Sequence, residues 1–143
     1  AARHKLPANS PMRMDNPLKL VGVINSGGLA DLKASRPVTS RSCLAEIYDQ
    51  LVGDISSTRA EVLSDTSPAE MLPLRVRQVS FNGHDDSIAP PVLGEGYTRR
   101  AKAAGDRADV VVVLNTGHVE LVSPGTEVWD LETATMKDML GLD

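Results

Sequence analysis

The chain has 143 residues, 15 Lys and Arg against 19 Asp and Glu for a formal net charge of −4, a 41% hydrophobic content and a single cysteine. That charge disfavours a nucleic-acid phosphate backbone as a partner, and one cysteine excludes an internal disulfide framework and fits a reducing compartment. The longest uninterrupted apolar run, residues 110–114, falls far short of the roughly 18–20 residues that span a bilayer.

No early segment has the basic, apolar and small-residue layout of a secretory signal, so a cytoplasmic protein is expected. A domain of this length buries about two-thirds of the surface its unfolded chain exposes. With one Trp, two Tyr and one Phe, its core is expected to consist of Val, Leu, Ile, Ala and Met.

Residues 1–17 are polar and carry Pro7, Pro11 and Pro17, which predicts loop after a last helical turn at 1–5. Residues 18–25 are β-branched and nearly all apolar, the pattern of a strand buried on both faces of a parallel sheet. Ser26-Gly27-Gly28 ends it. Leu44, Ile47, Tyr48 and Leu51 recur at helical spacing, with Ser42 as N-cap and Gly53 as stop. A short helix follows Ser57, and Ser67-Pro68-Ala69-Glu70 begins another, with proline at its first position.

Residues 75–81 read as a strand more polar than the first. Residues 92–104 read as a helix with Arg99, Arg100 and Lys102 toward its C-terminal end and Gly105 after it, as the macrodipole and a left-handed cap both favour. Residues 110–114 are the most strand-like segment, and 126–140 are helical in period. Strands separated by helices imply a parallel α/β sheet with right-handed crossovers.

Ligands of open parallel sheets gather beyond the carboxyl ends of the strands. The segments that begin there are Ser26-Gly27-Gly28, Asn82-Gly83-His84-Asp85-Asp86 and Asn115-Thr116-Gly117-His118-Val119-Glu120. An Asp on the loop after one strand and a His 32 residues later, after the next, is the spacing that sets a carboxylate beside an imidazole. Such a pair orients a general base. Asp85 and Asp86 beside Gly83 are also ordinary turn formers, and His84, Asp85, Asp86 and His118 are ligand types that suit zinc, although their spacing demands no metal. Cys43 lies on the helix with Leu44 and reads as packing, while His4 reads as exposed.

The run Gly83-His84-Asp85-Asp86-Ser87-Ile88-Ala89-Pro90-Pro91 resembles the G-x-x-D-x-I-V-P-P loop that carries the triad acid in α/β-hydrolases of the esterase and prolyl-oligopeptidase-like groups. The helix with Tyr97 and the run 101–106, the strand at 110–114 and the run from Thr116-Gly117-His118 to Pro124 resemble the same family's helix, last strand and histidine loop. Gly27 to Leu32 resembles its G-x-x-D-L segment after the sixth strand, and Ser67-Pro68 through Leu74 its S-P-x-x-x-L-P-L lead into the seventh. Arg77 in place of a proline, Ser80 in an apolar strand and Asn82 in place of a histidine depart from the pattern.

The resemblance implies the C-terminal part of an α/β-hydrolase fold, about three parallel strands with flanking helices. In that reading 1–143 is one partial domain: loop and helix end at 1–17, sixth-strand and helical region at 18–74, and acid loop, histidine loop and final helix at 75–143. It implies Asp86 as triad acid, three after the glycine, in preference to Asp85, and His118 as base. The family's G-x-S-x-G nucleophile elbow is absent, because no Ser here has Gly both two before and two after it. Ser26, followed by Gly27 and Gly28, is the one surrogate to weigh.

The implied activity is hydrolysis of a small ester or amide by acyl transfer, without a cofactor, metal, nucleic acid or membrane span. An open sheet edge would call for self-association or an N-terminal half. The alternative is a non-catalytic remnant that binds a partner or a small acyl ligand through the same scaffold.

Overall fold

A computed structural model describes residues 2–40, 42 and 44–142; Cys43 lies outside them. Its elements, in chain order, are β1 (Gly22–Ser26), α1 (Leu32–Val38), α2 (Leu44–Val52), β2 (Arg77–Gly83), α3 (Pro91–Ala103), β3 (Ala108–Val113) and α4 (Glu127–Leu140). Short 3-10 turns lie at Arg3–Lys5, Val62–Ser64, Pro68–Met71 and Glu120–Val122. Among the described residues the strands form one parallel sheet in the order β1-β2-β3.

The helix ends follow local chemistry. Thr126 accepts a hydrogen bond from Trp129 N–H at the start of α4, and Gly141 closes it at φ 66°. Gly105 (φ 91°) and Gly53 (φ 74°) follow α3 and α2 as left-handed stops, and the Ser42 hydroxyl accepts from Leu44 N–H. No element is read from the sequence at 32–38, where helix α1 forms. Asp31 caps its start by accepting from Ala34 N–H at 3.0 Å, and Pro37, which has no N–H to donate, lies near its end. Ser67 does not cap its own turn; its hydroxyl accepts from Leu32 N–H instead, at 3.2 Å.

The two upstream strands reverse the expected burial. The apolar run at 18–25 contributes only Gly22–Ser26 to the sheet, every residue of it half-buried, while Leu18 stays 77% exposed. The more polar strand β2 is the central one and is buried from Gln78 to Gly83. The reason is position: β2 has a strand on each side and β1 only on one.

Alternation along β2 splits its side chains between two layers. Val79 and Phe81 pack with Val113, Leu121 and Val128 on the α4 side. On the other face Tyr97 packs with Ala69, Ala101 and Ala108, and its hydroxyl donates to Gln78 Oε1 at 2.6 Å. Gln78 Nε2 in turn donates to Asp106 Oδ2 at 3.0 Å, and Asp106 also accepts the backbone N–H groups of Leu74 and Arg75, both at 2.7 Å. At Gln78 the buried polar face thus has its hydrogen bonds made, whereas Asn82 Oδ1, on the same face, is buried without a partner among the described residues.

Burial, reinforced by the neighbouring Asp106 charge, pushes the Tyr97 phenol from 10.0 up to about 12. The folded chain therefore holds this proton more tightly than the unfolded one. Its contribution is whole below about pH 10 and is lost as pH rises toward about 12, at roughly 1.4 kcal/mol per pH unit. Urea titrations at alkaline pH are expected to show that slope. In Tyr97→Phe the slope should become shallower by the Tyr97 contribution, while stability at neutral pH falls by about 1–3 kcal/mol because Gln78 Oε1 loses its donor.

Candidate active site

Three strand ends meet at the carboxyl edge of the sheet, and the loops leaving β2 and β3 are tied together by backbone. His84 N–H donates to Val113 O at 2.8 Å and Asp85 N–H to Thr116 O at 3.0 Å. Asn115, at φ 52°, turns the chain out of β3 in the left-handed region that asparagine tolerates. Gly83 is required at the crossing. A Cβ there would lie 2.2 Å from the Thr116 carbonyl oxygen, so any side chain would force the two loops apart.

This lacing brings Asp86 to His118. Asp86 Oδ2 lies 2.8 Å from His118 Nδ1, and Asp86 Oδ1 accepts from Ile88 N–H and Ala89 N–H, each at 2.8 Å. The Asp86 side chain is fully buried, whereas the His118 side chain is 38% exposed. A carboxylate only accepts, so its Nδ1 partner carries the ring proton and Nε2 is left as a bare acceptor. No hydrogen bond engages Nε2 among the described residues.

Asp85 turns the other way. Its carboxylate pairs with His84 Nδ1 at 2.8 Å on the outside of the loop, both side chains more than half exposed. The resemblance implies Asp86 rather than Asp85 as the acid, and it is Asp86 whose carboxylate faces His118. His4 is exposed in the first 3-10 turn. Among the described residues no group of three or more His, Cys, Asp or Glu is placed to hold a metal ion.

Ser26 ends β1 immediately before Gly27, whose N–H donates to Phe81 O at 2.8 Å. Gly27 adopts φ 61°, and a Cβ on it would meet Leu121 Cδ1 at 2.7 Å and His118 Nδ1 at 3.2 Å. The imidazole therefore rests against this glycine. Ser26 is next to that contact, yet no hydrogen bond joins its hydroxyl to His118 among the described residues.

Three supports escaped the sequence reading. Glu120 Oε2 accepts from Gly117 N–H at 3.1 Å, bracing the residue before His118. Asn82 Nδ2 donates to Ala89 O at 3.2 Å, holding the far end of the acid loop. Leu121, completely buried, anchors the histidine loop in the core. A Glu three residues after a glycine at the start of a helical turn was the one local signal among them.

No protein-family model matches the chain, and no curated protein matches it. Solved structures do. Puromycin hydrolase superposes with a TM-score of 0.62 at 16% identity, over 85% of this chain and 18% of that one. The Thermogutta terrifontis esterase 2 phosphoramylated by tabun gives 0.61 at 14% identity, over 97% of this chain and 49% of the esterase. The propionate-bound form of that planctomycete esterase gives 0.59 at 13% identity, over 97% and 50%. The chain thus spans about half the length of the esterase and about a fifth of puromycin hydrolase. Three parallel strands, their flanking helices and these likenesses together establish the architecture: the chain has the fold of part of an α/β-hydrolase.

Proposed function

We propose that this chain is the C-terminal, acid-and-base-bearing part of a serine hydrolase that cleaves carboxylic esters or amides by acyl transfer. Asp86 orients His118, and His118 acts on a serine hydroxyl contributed by polypeptide outside these residues. The observation that carries the reading is the 2.8 Å contact between the buried Asp86 carboxylate and His118 Nδ1, which leaves Nε2 free at the carboxyl edge of the sheet. In the reaction Nε2 takes the serine proton as Oγ bonds to the acyl carbon, then returns it to the departing alkoxide or amine. The same nitrogen next takes a proton from the water that attacks the acyl carbon and gives it to the serine Oγ as the acyl–Oγ bond breaks, releasing the acid.

Support for a partner polypeptide comes from β1. Among the described residues it pairs only with β2, and apolar grooves flank it on both faces. Val21, Ile24, Met136 and Met139 line one of about 430 Å³, and Val23, Leu29, Val79 and Tyr97 line another of about 360 Å³. An edge strand flanked this way fits a further parallel strand with helices above and below.

The test is hydrolysis of 4-nitrophenyl butyrate by the chain alone and after co-expression with a polypeptide carrying a G-x-S-x-G serine. The native chain alone is expected to match its His118→Ala variant, and activity should appear only on complementation, where His118→Ala abolishes it. Activity of the chain alone, lost in both His118→Ala and Ser26→Ala, would move the nucleophile to Ser26. Binding of acyl ligands with no hydrolysis in any combination would favour a non-catalytic binding protein.

A further inference from the structure

The Asp86 carboxylate is oriented through its backbone partners: Oδ1 takes the N–H groups of Ile88 and Ala89, and Oδ2 is then left to His118 Nδ1. The near end of the acid loop is fixed by its lacing to Val113 and Thr116. The far end has a different anchor. Ala89 is completely buried, its N–H donates to Asp86 Oδ1 at 2.8 Å, and its carbonyl accepts from Asn82 Nδ2 at 3.2 Å. A single residue thus joins the central strand to the acid.

Asn82 is gripped from its other side by α3. Its Oδ1 faces Gly94, in the first turn of that helix, where a Cβ would lie 2.0 Å away, so the helix reaches this close only with a glycine there. The amide orientation follows: its NH₂ meets the Ala89 carbonyl, and its oxygen points to the positive end of the helix macrodipole. Asn82 is 1% exposed, and this oxygen has no hydrogen-bond partner among the described residues. A buried acceptor without a donor costs stability. The oxygen end of the side chain therefore gives no reason for an amide at this position, and the donor end does.

We propose that Asn82 is a positioning residue for the pair formed by Asp86 and His118. By clamping the Ala89 carbonyl it keeps the Ile88 and Ala89 N–H groups on Asp86 Oδ1, and so keeps Oδ2 turned to His118 Nδ1. Without the clamp the Ala89 peptide rotates, the carboxylate loses its fixed direction, and the ring proton is no longer held on Nδ1, so part of the His118 population carries it on Nε2. The consequence for catalysis rests on the function proposed above; the effect on the His118 ring does not.

The experiment is ¹⁵N NMR of the His118 ring in the full chain, with amide hydrogen exchange and urea titration, for Asn82→Leu, Asn82→Ser and Gln78→Leu. Leucine keeps the shape of asparagine without its donor, and serine, too short to reach the Ala89 carbonyl, serves where leucine overfills the site. In both Asn82 variants the Nε2–H tautomer is expected to become a major species, and the Ile88 and Ala89 amides to exchange about tenfold faster or more. The urea midpoint of Asn82→Leu should stay close to native, because one orphaned acceptor replaces another. Gln78→Leu removes a buried amide from the same strand face and takes a partner from Tyr97 and from Asp106. It should lower the midpoint and leave the tautomer unchanged. In the complemented enzyme Asn82→Leu should lower kcat about 10²-fold at nearly unchanged KM.

A native tautomer in a folded Asn82 variant, unchanged exchange at Ile88 and Ala89, or the same tautomer change in Gln78→Leu would each overturn the proposal. Loss of the fold in both Asn82 variants would assign the residue to folding and overturn it equally. The two readings fail separately. A tautomer shift without hydrolysis on complementation removes the hydrolase function and keeps the positioning role, whereas hydrolysis with an unmoved tautomer does the reverse.

Discussion

Asp86→Asn is expected to transfer the proton of the neutral His118 ring from Nδ1 to Nε2, and in the complemented enzyme to lower kcat by about 10⁴-fold. An amide at position 86 can keep the Ile88 and Ala89 N–H donors on its carbonyl oxygen, where Asp86 Oδ1 now takes them at 2.8 Å. It must then present its NH₂ to His118, so Nδ1 becomes an acceptor and the proton moves to Nε2. The base is then capped where it should act. The loop should stay folded, because the exchange preserves its shape and most of its hydrogen bonds.

Ring ¹⁵N shifts of His118 report the tautomer in the chain alone, without a partner. Asp85→Ala is the control. Its carboxylate contacts only the exposed His84 ring, and activity is expected to stay within a few-fold of native. An unchanged tautomer in Asp86→Asn, or an equal activity loss in Asp85→Ala with none in Asp86→Asn, would remove Asp86 from the proposed acid role.

Phe81→Ala is expected to be the most destabilising single change in the core, by about 3–5 kcal/mol. Phe81 is 1% exposed and central to the cluster with Val79, Val113, Leu121 and Val128. A domain of ordinary stability has only about 5–15 kcal/mol to lose. The effect reaches the site because the Phe81 side chain packs in the cluster with Leu121, which anchors the histidine loop. Urea denaturation should show the drop in midpoint. Phe81→Leu, which refills most of the volume, should cost less than half as much.

Much of the site was legible because it depends on short-range chemistry. Turn residues after apolar runs located the strand ends, and the spacing of Asp86 and His118 placed a carboxylate and an imidazole on adjacent loops. The helix stops at Gly53, Gly105 and Gly141 follow from glycine's freedom at positive φ. Helix α1 carries no such signal: at seven residues it is too short to show a helical period, and its Asp31 cap is visible only in the structure. Asp86 is preferred to Asp85 in the sequence only by its offset from Gly83 in the family resemblance; the direction in which the backbone aims each carboxylate is visible only in the structure.

Polarity along the chain is a local property, and it sufficed for the order of strands and helices, the helix caps and the residue types gathered at the sheet edge. Burial depends on what lies alongside. Residues 75–81 read as the more polar strand, yet Gln78, Ser80 and Asn82 are enclosed because β2 is flanked by β1 and β3 and covered by α3, with Tyr97 and Asp106 supplying partners for Gln78. The apolar run before Asn25 reads as buried, yet half of it lies open because, among the described residues, no strand pairs with the outer edge of β1. The contact between Asp86 and His118 belongs to the same class, set by long-range backbone bonds between two loops that no pattern within either loop encodes.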